Sequence, residues 1–424
     1  MTGCPRVLRP AARVAGLILC LAATAGIARA QAVSQRGFIE VRGVFYPQQA
    51  PHDDRQAVAD LLARYEVSGS PTPWMMLAAG VDARADSQGQ VIRPARLSWD
   101  DRTALRPAVA VRRLSALVTR GGLTVEVGKQ FVRWGKTDVL TPTDRFAPRD
   151  FMEVVTNDLL PVFAARATYE RGGRTLDLAW VPRSTPSRLP MSGRRWSVAE
   201  TRAPAIPGAP AVPAVDGGAD YPGGPQFGVR YSHVASGFEY ALSYFDGYNH
   251  LPGFELRLRP AAVEIMRVFP RIRSYGADLA WPTRWCTFKG EVAFFDSADV
   301  RADRYTQFVL QLERQSGEWS FVAGYAGEAV ATRRAVVAFA PDRGLTKSLL
   351  GRVSYTLDAN RSVTVEGAVR QNGGGAWIKA EYSQAVGSHW RVTAGTNLIR
   401  GDETDFLGQF RRNSHLGATL RCSF

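Results

Sequence analysis

The chain has 424 residues, a formal charge of +14 from 53 Lys and Arg against 39 Asp and Glu, and 45% hydrophobic residues. Beyond the N-terminal segment no stretch of about 18 or more consecutive apolar residues exists, which excludes a membrane-spanning helix. The mean hydropathy of −0.16 suits a soluble domain, but also a β-barrel, whose lipid-facing residues are hidden by alternation. A length of this size fits a single all-β unit as well as two or three soluble domains. The basic balance fits nucleic acid, acidic glycans, anionic lipid or, inside a pore, anions.

The N-terminus reads as a processing segment. Arg6, Arg9 and Arg13 precede an uncharged, mostly apolar run from Ala15 to Ile27, and Ala28-Arg29-Ala30 is an A-x-A cleavage site. The predicted signal peptide is 1–30, and the predicted mature chain, 31–424, starts at Gln31 and keeps +10 of the +14, since the segment carries four Arg and no acid. Cys20 follows Ile18 and Leu19, which are too bulky for a lipoprotein box. Two cysteines remain, Cys286 and Cys422, both expected on the apolar parity of strands; only a fold that joins distant strands would pair them.

In chain order, Gly37 to Tyr46 alternates, with Ile39, Val41 and Phe45 opposite Glu40 and Arg42. Asp53 to Tyr65 fits either a short amphipathic helix or a strand starting only near Leu61 and running to Ser68. Trp74 to Asp86 reads as a strand, and 87–105 as a polar loop. Ala108 to Thr119 and Leu123 to Val132 form a hairpin at Gly121-Gly122. The first arm is ambiguous in parity at Arg112-Arg113, and Lys129 interrupts the apolar side of the second, which predicts a bulge at Gly128. Val162 to Arg171 and Thr175 to Arg183 pair across Gly172-Gly173. Residues 184–225, rich in Pro and Gly, predict an exposed extracellular loop without regular structure. Phe227 to His233 pairs with Phe238 to Phe245, and 247–270 is a long loop with room for a strand. Four further hairpins follow: Tyr275–Trp281 with Trp285–Phe295, Tyr305–Glu313 with Trp319–Tyr325, Leu349–Leu357 with Val363–Arg370, and Ala376–Ser383 with Trp390–Asn397.

The last ten residues alternate most cleanly. Leu416, Ala418, Leu420, Cys422 and Phe424 share one parity, opposite His415, Gly417, Thr419, Arg421 and Ser423. The ending looks like the closing strand of a bacterial outer-membrane barrel, whose terminal Phe serves as an assembly signal; that resemblance implies the barrel-assembly machinery as a partner through Phe424. Short turns alternating with long polar loops are the asymmetry of such barrels. The expected fold is therefore an all-β transmembrane antiparallel barrel of about 16–18 strands, surrounded by outer-membrane lipid. A soluble sandwich or propeller has the same alternation; the processing segment, the unequal connections and the terminal Phe favour the barrel.

One stretch stands apart. Gly128 to Phe151 reads GKQFVRWGKTDVLTPTDRFAPRDF. It resembles a porin-like family of poorly characterised outer-membrane β-barrels that carry a G-x-Q-x-x-x-W-G element, here Gly128, Gln130, Trp134 and Gly135, followed by an Asp- and Pro-rich loop. Asp138, Pro142, Asp144, Arg145, Pro148, Arg149 and Asp150 fill that loop, and a weaker likeness extends over Leu160 to Trp196. The resemblance implies a porin-like or export-related barrel and supplies no substrate. Independently, Pro residues and two Asp–Arg pairs make a stiff polar segment. Folded inward over 135–160, it would narrow a lumen and set selectivity; folded outward, it would only anchor an extracellular loop.

Motifs for catalysis are absent: no HExxH, GxSxG, P-loop or GxGxxG occurs, and the five His stand at 52, 233, 250, 389 and 415. Asn413-Ser414-His415 cannot form a triad within one strand, because adjacent residues point to opposite faces. No Cys/His set has metal-ligand spacing, and the Arg residues are spread along the chain and not clustered on a nucleic-acid platform. The expectation is a non-enzymatic channel, without cofactor or metal, for small hydrophilic and by preference anionic solutes. Its candidate pore residues are Glu126, Gln130, Asp138, Asp144, Arg145, Arg149, Asp150, Arg166, Arg370, Lys379 and Arg391. The alternative is a non-conducting barrel that binds a surface polysaccharide or helps its export.

Overall fold

The computed structural model describes residues 33–424 except 52, 157, 191–192, 198–213, 261 and 335–339. The predicted signal peptide, 1–30, and His52 lie outside the described residues. Eighteen strands form the wall: β1 Ser34–Phe45, β2 Ala57–Thr72, β3 Met75–Asp86, β4 Val109–Arg120, β5 Leu123–Gln130, β6 Val162–Arg171, β7 Arg174–Val181, β8 Gln226–Ala235, β9 Phe238–Tyr248, β10 Arg271–Pro282, β11 Thr287–Asp296, β12 Arg304–Ser316, β13 Trp319–Thr332, β14 Ser348–Asp358, β15 Arg361–Arg370, β16 Gly375–Val386, β17 Trp390–Gly401 and β18 His415–Ser423. Each is antiparallel to the next, and β18 returns to β1 from Phe38↔Ser423 to Phe45↔Leu416. The barrel closes on itself, so the wall has no free edge strand, whose backbone groups hydrocarbon would not satisfy.

Alternation explains which way each strand faces. On β18, Leu416 and Leu420 are 54% and 44% exposed while His415 is 3% exposed. On β17, Val392 and Leu398 point out and Asn397 is buried. The same apolar exterior recurs around the wall, for example at Leu114, Val127, Leu178, Leu242, Leu310 and Leu349. A continuous apolar exterior of this kind matches lipid and not water. Trp74, Trp281, Trp285, Trp319 and Trp390 are exposed near the short-turn rim, where aromatic side chains sit at a membrane interface. Positive φ at Gly121 (+59°) and Gly172 (+56°) supplies the backbone that tight hairpin turns require.

The structure departs from the sequence reading in four places. No helix forms over 53–65; β2 begins at Ala57 and pairs along its length with β1 and β3. The bulge lies not at Gly128 but one strand earlier, where Gly80 pairs with Arg113 and Val81 with Val111, leaving Arg112 as the extra residue. Residues 184–225 are not uniformly exposed or irregular: Ser184, Thr185, Ser187, Arg188, Arg195 and Trp196 are buried. Ala214–Asp220 forms a three-stranded sheet with Ala262–Val268 and Gly253–Arg259. Finally, Cys286 belongs to the β10–β11 turn, where its N–H donates to Thr283 Oγ1, and both cysteines are free.

The barrel interior is packed by its own loops. One cluster joins Trp134 and Phe146 to Phe245, Phe295 and Tyr305 of the wall. A second joins Leu140, Val154 and Trp196 to Leu350, Trp377 and Phe410.

Candidate functional site: the lumen and its inner loop

The β5–β6 connection, residues 131–161, folds into the barrel. It binds inward side chains of β1, β11 and β12, and the wall residue that holds it is Glu291 of β11, 2% exposed. This carboxylate accepts hydrogen bonds from the N–H of Lys136, Thr137 and Thr143, at 2.8–3.2 Å, and from the hydroxyl of Thr143 at 2.8 Å; the Thr137 hydroxyl, 2.9 Å away, shares its one proton with the Leu140 carbonyl at 2.5 Å. Four donors on one buried carboxylate satisfy the lone pairs that burial would otherwise leave costly. Within the loop, Asp144 accepts the N–H of Trp134 and Gly135 at 2.5 and 2.6 Å. Gly135 is required by space, since a Cβ there would lie 2.7 Å from Thr141 and 3.1 Å from Glu291. Trp134 packs edge-on against Phe146, and its Nε1–H donates to Asp177 at 3.2 Å.

The two local Asp–Arg pairs expected in this loop do not satisfy each other; Asp144, Arg145 and Asp150 each pair with another residue. Asp144 faces Arg133. Arg145 lies 3.7 Å from Asp342 and donates to Asn249 Oδ1 at 2.8 Å. Asp150 accepts from Arg106 at 2.8 and 3.0 Å and from Arg188 at 3.3 Å. Arg188 also donates to Asp101 at 2.6 Å, and Asp101 pairs with Lys129 at 2.8 Å. The chain of charges Lys129–Asp101–Arg188–Asp150–Arg106 thus ties three long loops to the end of β5. Burial would raise the Asp150 carboxyl, but Arg106 and Arg188 override it and hold the group well below the usual carboxylate range. Glu153 behaves alike: burial opposes ionisation, and the bidentate Arg42, at 2.7 Å to each oxygen, brings the carboxyl below its ordinary value. His250 is the reverse case. Burial first, then the charges of Arg145 and Arg149, push it well below the ordinary imidazole value, and its Nδ1 lies 2.8 Å from Ser187 Oγ.

Open space remains beside this loop. A cavity of about 670 Å³ runs along β1–β3 and β15–β18, bordered by Arg42, Arg64, Arg84, Arg106, Lys379, Arg391 and Arg421 and by Glu40, Asp60, Asp86, Glu153, Asp158 and Glu381. A second space of about 300 Å³ lies between the loop and β14–β16. Lys379 and Thr156 border both. Lys379 sits 3.4 Å from Glu366 and 3.2 Å from Glu381.

The residues singled out in the sequence fall into two groups. Lys379 and Arg391 border the larger space, and Asp138, Arg145, Arg149 and Lys379 the smaller, along with Asp144. Asp138 meets Lys289 at 3.7 Å and Arg352 at 3.3 Å. The others hold the wall and loops together. Gln130 is buried and donates to the carbonyls of Glu126 and Ala164. Glu126 pairs with Arg113 and accepts from Ser115. Arg166 grips Asp177. Arg370 binds Asp405 and the carbonyl of Gly344. Asp150 is buried among its arginines and borders neither space. The partners of Arg42, Arg64, Arg106 and Glu291 lie on other strands and loops, which hides them from sequence reasoning, while Arg84 pairs with Asp82 on its own strand; inward parity marks Arg42, Arg64, Arg84 and Glu291, and nothing local marks Arg106. His415 is buried, within 3.1 Å of Asn397 Nδ2 and 2.8 Å of the Asn413 carbonyl. Among the described residues no group of three or more His, Cys, Asp or Glu could hold a metal ion.

The fold is similar to that of a BenF-like porin from Pseudomonas fluorescens Pf-5, with a TM-score of 0.54 and 11% identity over 94% of this chain and 99% of that one. It is also similar to OccAB4 of Acinetobacter baumannii, with a TM-score of 0.51 and 8% identity over 93% and 98%. No protein-family model matches the chain, and no curated protein does. Both likenesses are of fold: a membrane-spanning barrel of the porin type found in bacterial outer membranes.

Proposed function

We propose that the barrel is a channel for small hydrophilic solutes with a weak preference for anions. The observation that carries this reading is the larger lumenal space, walled by charged and hydroxyl side chains and left open beside an inner loop that Glu291 holds in place. An inner loop of this kind narrows a barrel without closing it, and its charges set which ions pass. Seven basic and six acidic side chains border that space, so the preference for anions is slight. Arg391 tips it further, since no carboxylate among the described residues pairs with it. The G-x-Q-x-x-x-W-G element supports kinship with porin-like barrels carrying the same element, because Gln130, Trp134 and Gly135 are the residues that shape the entry of the inner loop.

Current through the refolded protein in a planar bilayer, with reversal potentials in a KCl gradient, tests the reading. Discrete steps with a reversal potential displaced toward chloride are expected. Silence from a barrel shown folded by heat-modifiable gel mobility would overturn conduction and leave polysaccharide binding as the function to test.

A further inference from the structure

The strand register sets two arginines of the lumen wall side by side. Arg391 of β17 is the direct cross-strand partner of Arg421 of β18. Both point inward, because their neighbours Val392 and Leu420 face out. Like charges directly opposite in a ladder are destabilising, so each should have an acid of its own. Arg421 has one: its Nε–H donates to Glu40 at 2.7 Å, and its guanidinium lies over the Phe38 ring at 4.3 Å. Arg391 has none among the described residues. It donates instead to Ser383 Oγ at 3.1 Å, a hydroxyl that Thr393 also approaches at 3.4 Å. Arg391, Arg421, Ser383 and Thr393 all border the larger lumenal space. They lie near the short-turn rim, since β17 starts at Trp390 and β18 ends at Ser423.

We infer that Arg391 and Arg421 form a subsite for a tetrahedral oxyanion at the short-turn mouth of the lumen, with the hydroxyls of Ser383 and Thr393 beside it. The inference rests on the channel reading and gives it a substrate class. A guanidinium presents a fork of donors that matches two oxygens of one anion and finds no second contact on chloride. Two guanidiniums and one carboxylate, Glu40 on the far side of Arg421, leave one positive charge in excess, which draws an anion, and a tetrahedral oxyanion has oxygens enough to bridge both side chains.

Inorganic phosphate is the probe, added to one side of a bilayer carrying a chloride current at matched ionic strength. Saturable block is expected, stronger from the short-turn side. Arg391→Ser should raise the half-blocking concentration about tenfold or more, as expected for loss of a hydrogen bond to a charged group. Arg391→Lys, which keeps the charge without the fork, should weaken block less. A conducting barrel whose current phosphate leaves unchanged, or whose block survives Arg391→Ser, would overturn the subsite and leave the channel reading standing. Equal block by acetate would overturn the preference for a tetrahedral oxyanion. If no current is seen, the channel reading falls and the subsite is tested by thermal unfolding. A higher midpoint in phosphate than in chloride for the native chain, lost in Arg391→Ser, supports it; equal midpoints refute it.

Discussion

Gly37 and Phe424 exchange both backbone hydrogen bonds, at 2.8 and 2.9 Å, so the last residue of the chain pairs with the first strand. A Cβ on Gly37 would stand 2.6 Å from the Phe424 ring and 2.9 Å from the Arg64 carbonyl. Replacing Gly37 with Val should therefore push the ring off the seam, at a cost of about 1–3 kcal/mol for overpacking. The check is the urea midpoint read by heat-modifiable mobility. A midpoint equal to that of the native chain would mean that the seam tolerates the displaced ring.

Glu291 makes its own prediction. Hydrogen bonds to a charged group contribute about 1.5–3 kcal/mol each, and this carboxylate accepts four from Lys136, Thr137 and Thr143. Glu291→Ala should lower stability by several kcal/mol and release the inner loop, raising single-channel conductance with added noise. Glu291→Gln should fall between the two. Conductance unchanged in a folded Glu291→Ala barrel would show that the loop does not limit the current.

His250 predicts a pH response. Its folded pKa lies below the ordinary 6.5, so the unfolded state binds the proton more readily and protonation favours loop opening. Stability is complete above about pH 6.5 and falls as pH drops toward the folded value, by up to about 1.4 kcal/mol per pH unit. The groups it meets are Ser187, Arg145 and Arg149, and neither arginine can neutralise an imidazolium. Limited proteolysis at pH 5 should cut the loops faster than at pH 7.5, and His250→Gln should flatten the difference. Equal cleavage at both pH values in the native chain would refute this coupling.

Lys379 borders both lumenal spaces, and Glu366 and Glu381 already flank it. Lys379→Glu places three acids together and should move the reversal potential toward cations. The size of the move should shrink as salt rises, since screening at about 1 M is effective beyond about 3 Å. A reversal potential that does not move would place the ion path elsewhere in the barrel.

Much of the wall was legible because lipid demands one apolar parity on every strand. The hairpins at Gly121-Gly122 and Gly172-Gly173 and the terminal strand needed only neighbouring residues to be read. β2 was harder: Ala57, Ala59, Leu61, Leu62 and Ala63 are good helix formers, and pairing with β1 and β3 overrides that preference. The break at Arg112-Arg113 shows as lost parity, but Lys129 breaks the pattern too and points to a bulge at Gly128. Lys129 is instead covered by Asp101 and the Trp99 carbonyl. The inner loop was recognisable by composition, yet its fastenings were not. Glu291 lies 154 positions from Thr137 and Arg42 lies 111 from Glu153, and no local pattern encodes such separations. For the same reason composition points Asp150 at the pore, though Arg106 and Arg188 enclose it.

β5 stops at Gln130, and β4 pairs with it only from Leu114 to Arg120. Beside the upper part of β4, Leu97 and Ser98 run parallel to Val109 and Ala110 in the place a longer β5 would take. That patch of wall is therefore lent by the β3–β4 loop, whose Asp101 is held by Lys129 and Arg188. The cylinder cannot be finished by hairpins alone. Its rim is complete only after a connection that precedes β4 has docked, which makes the filling of the interior a step in building the shell.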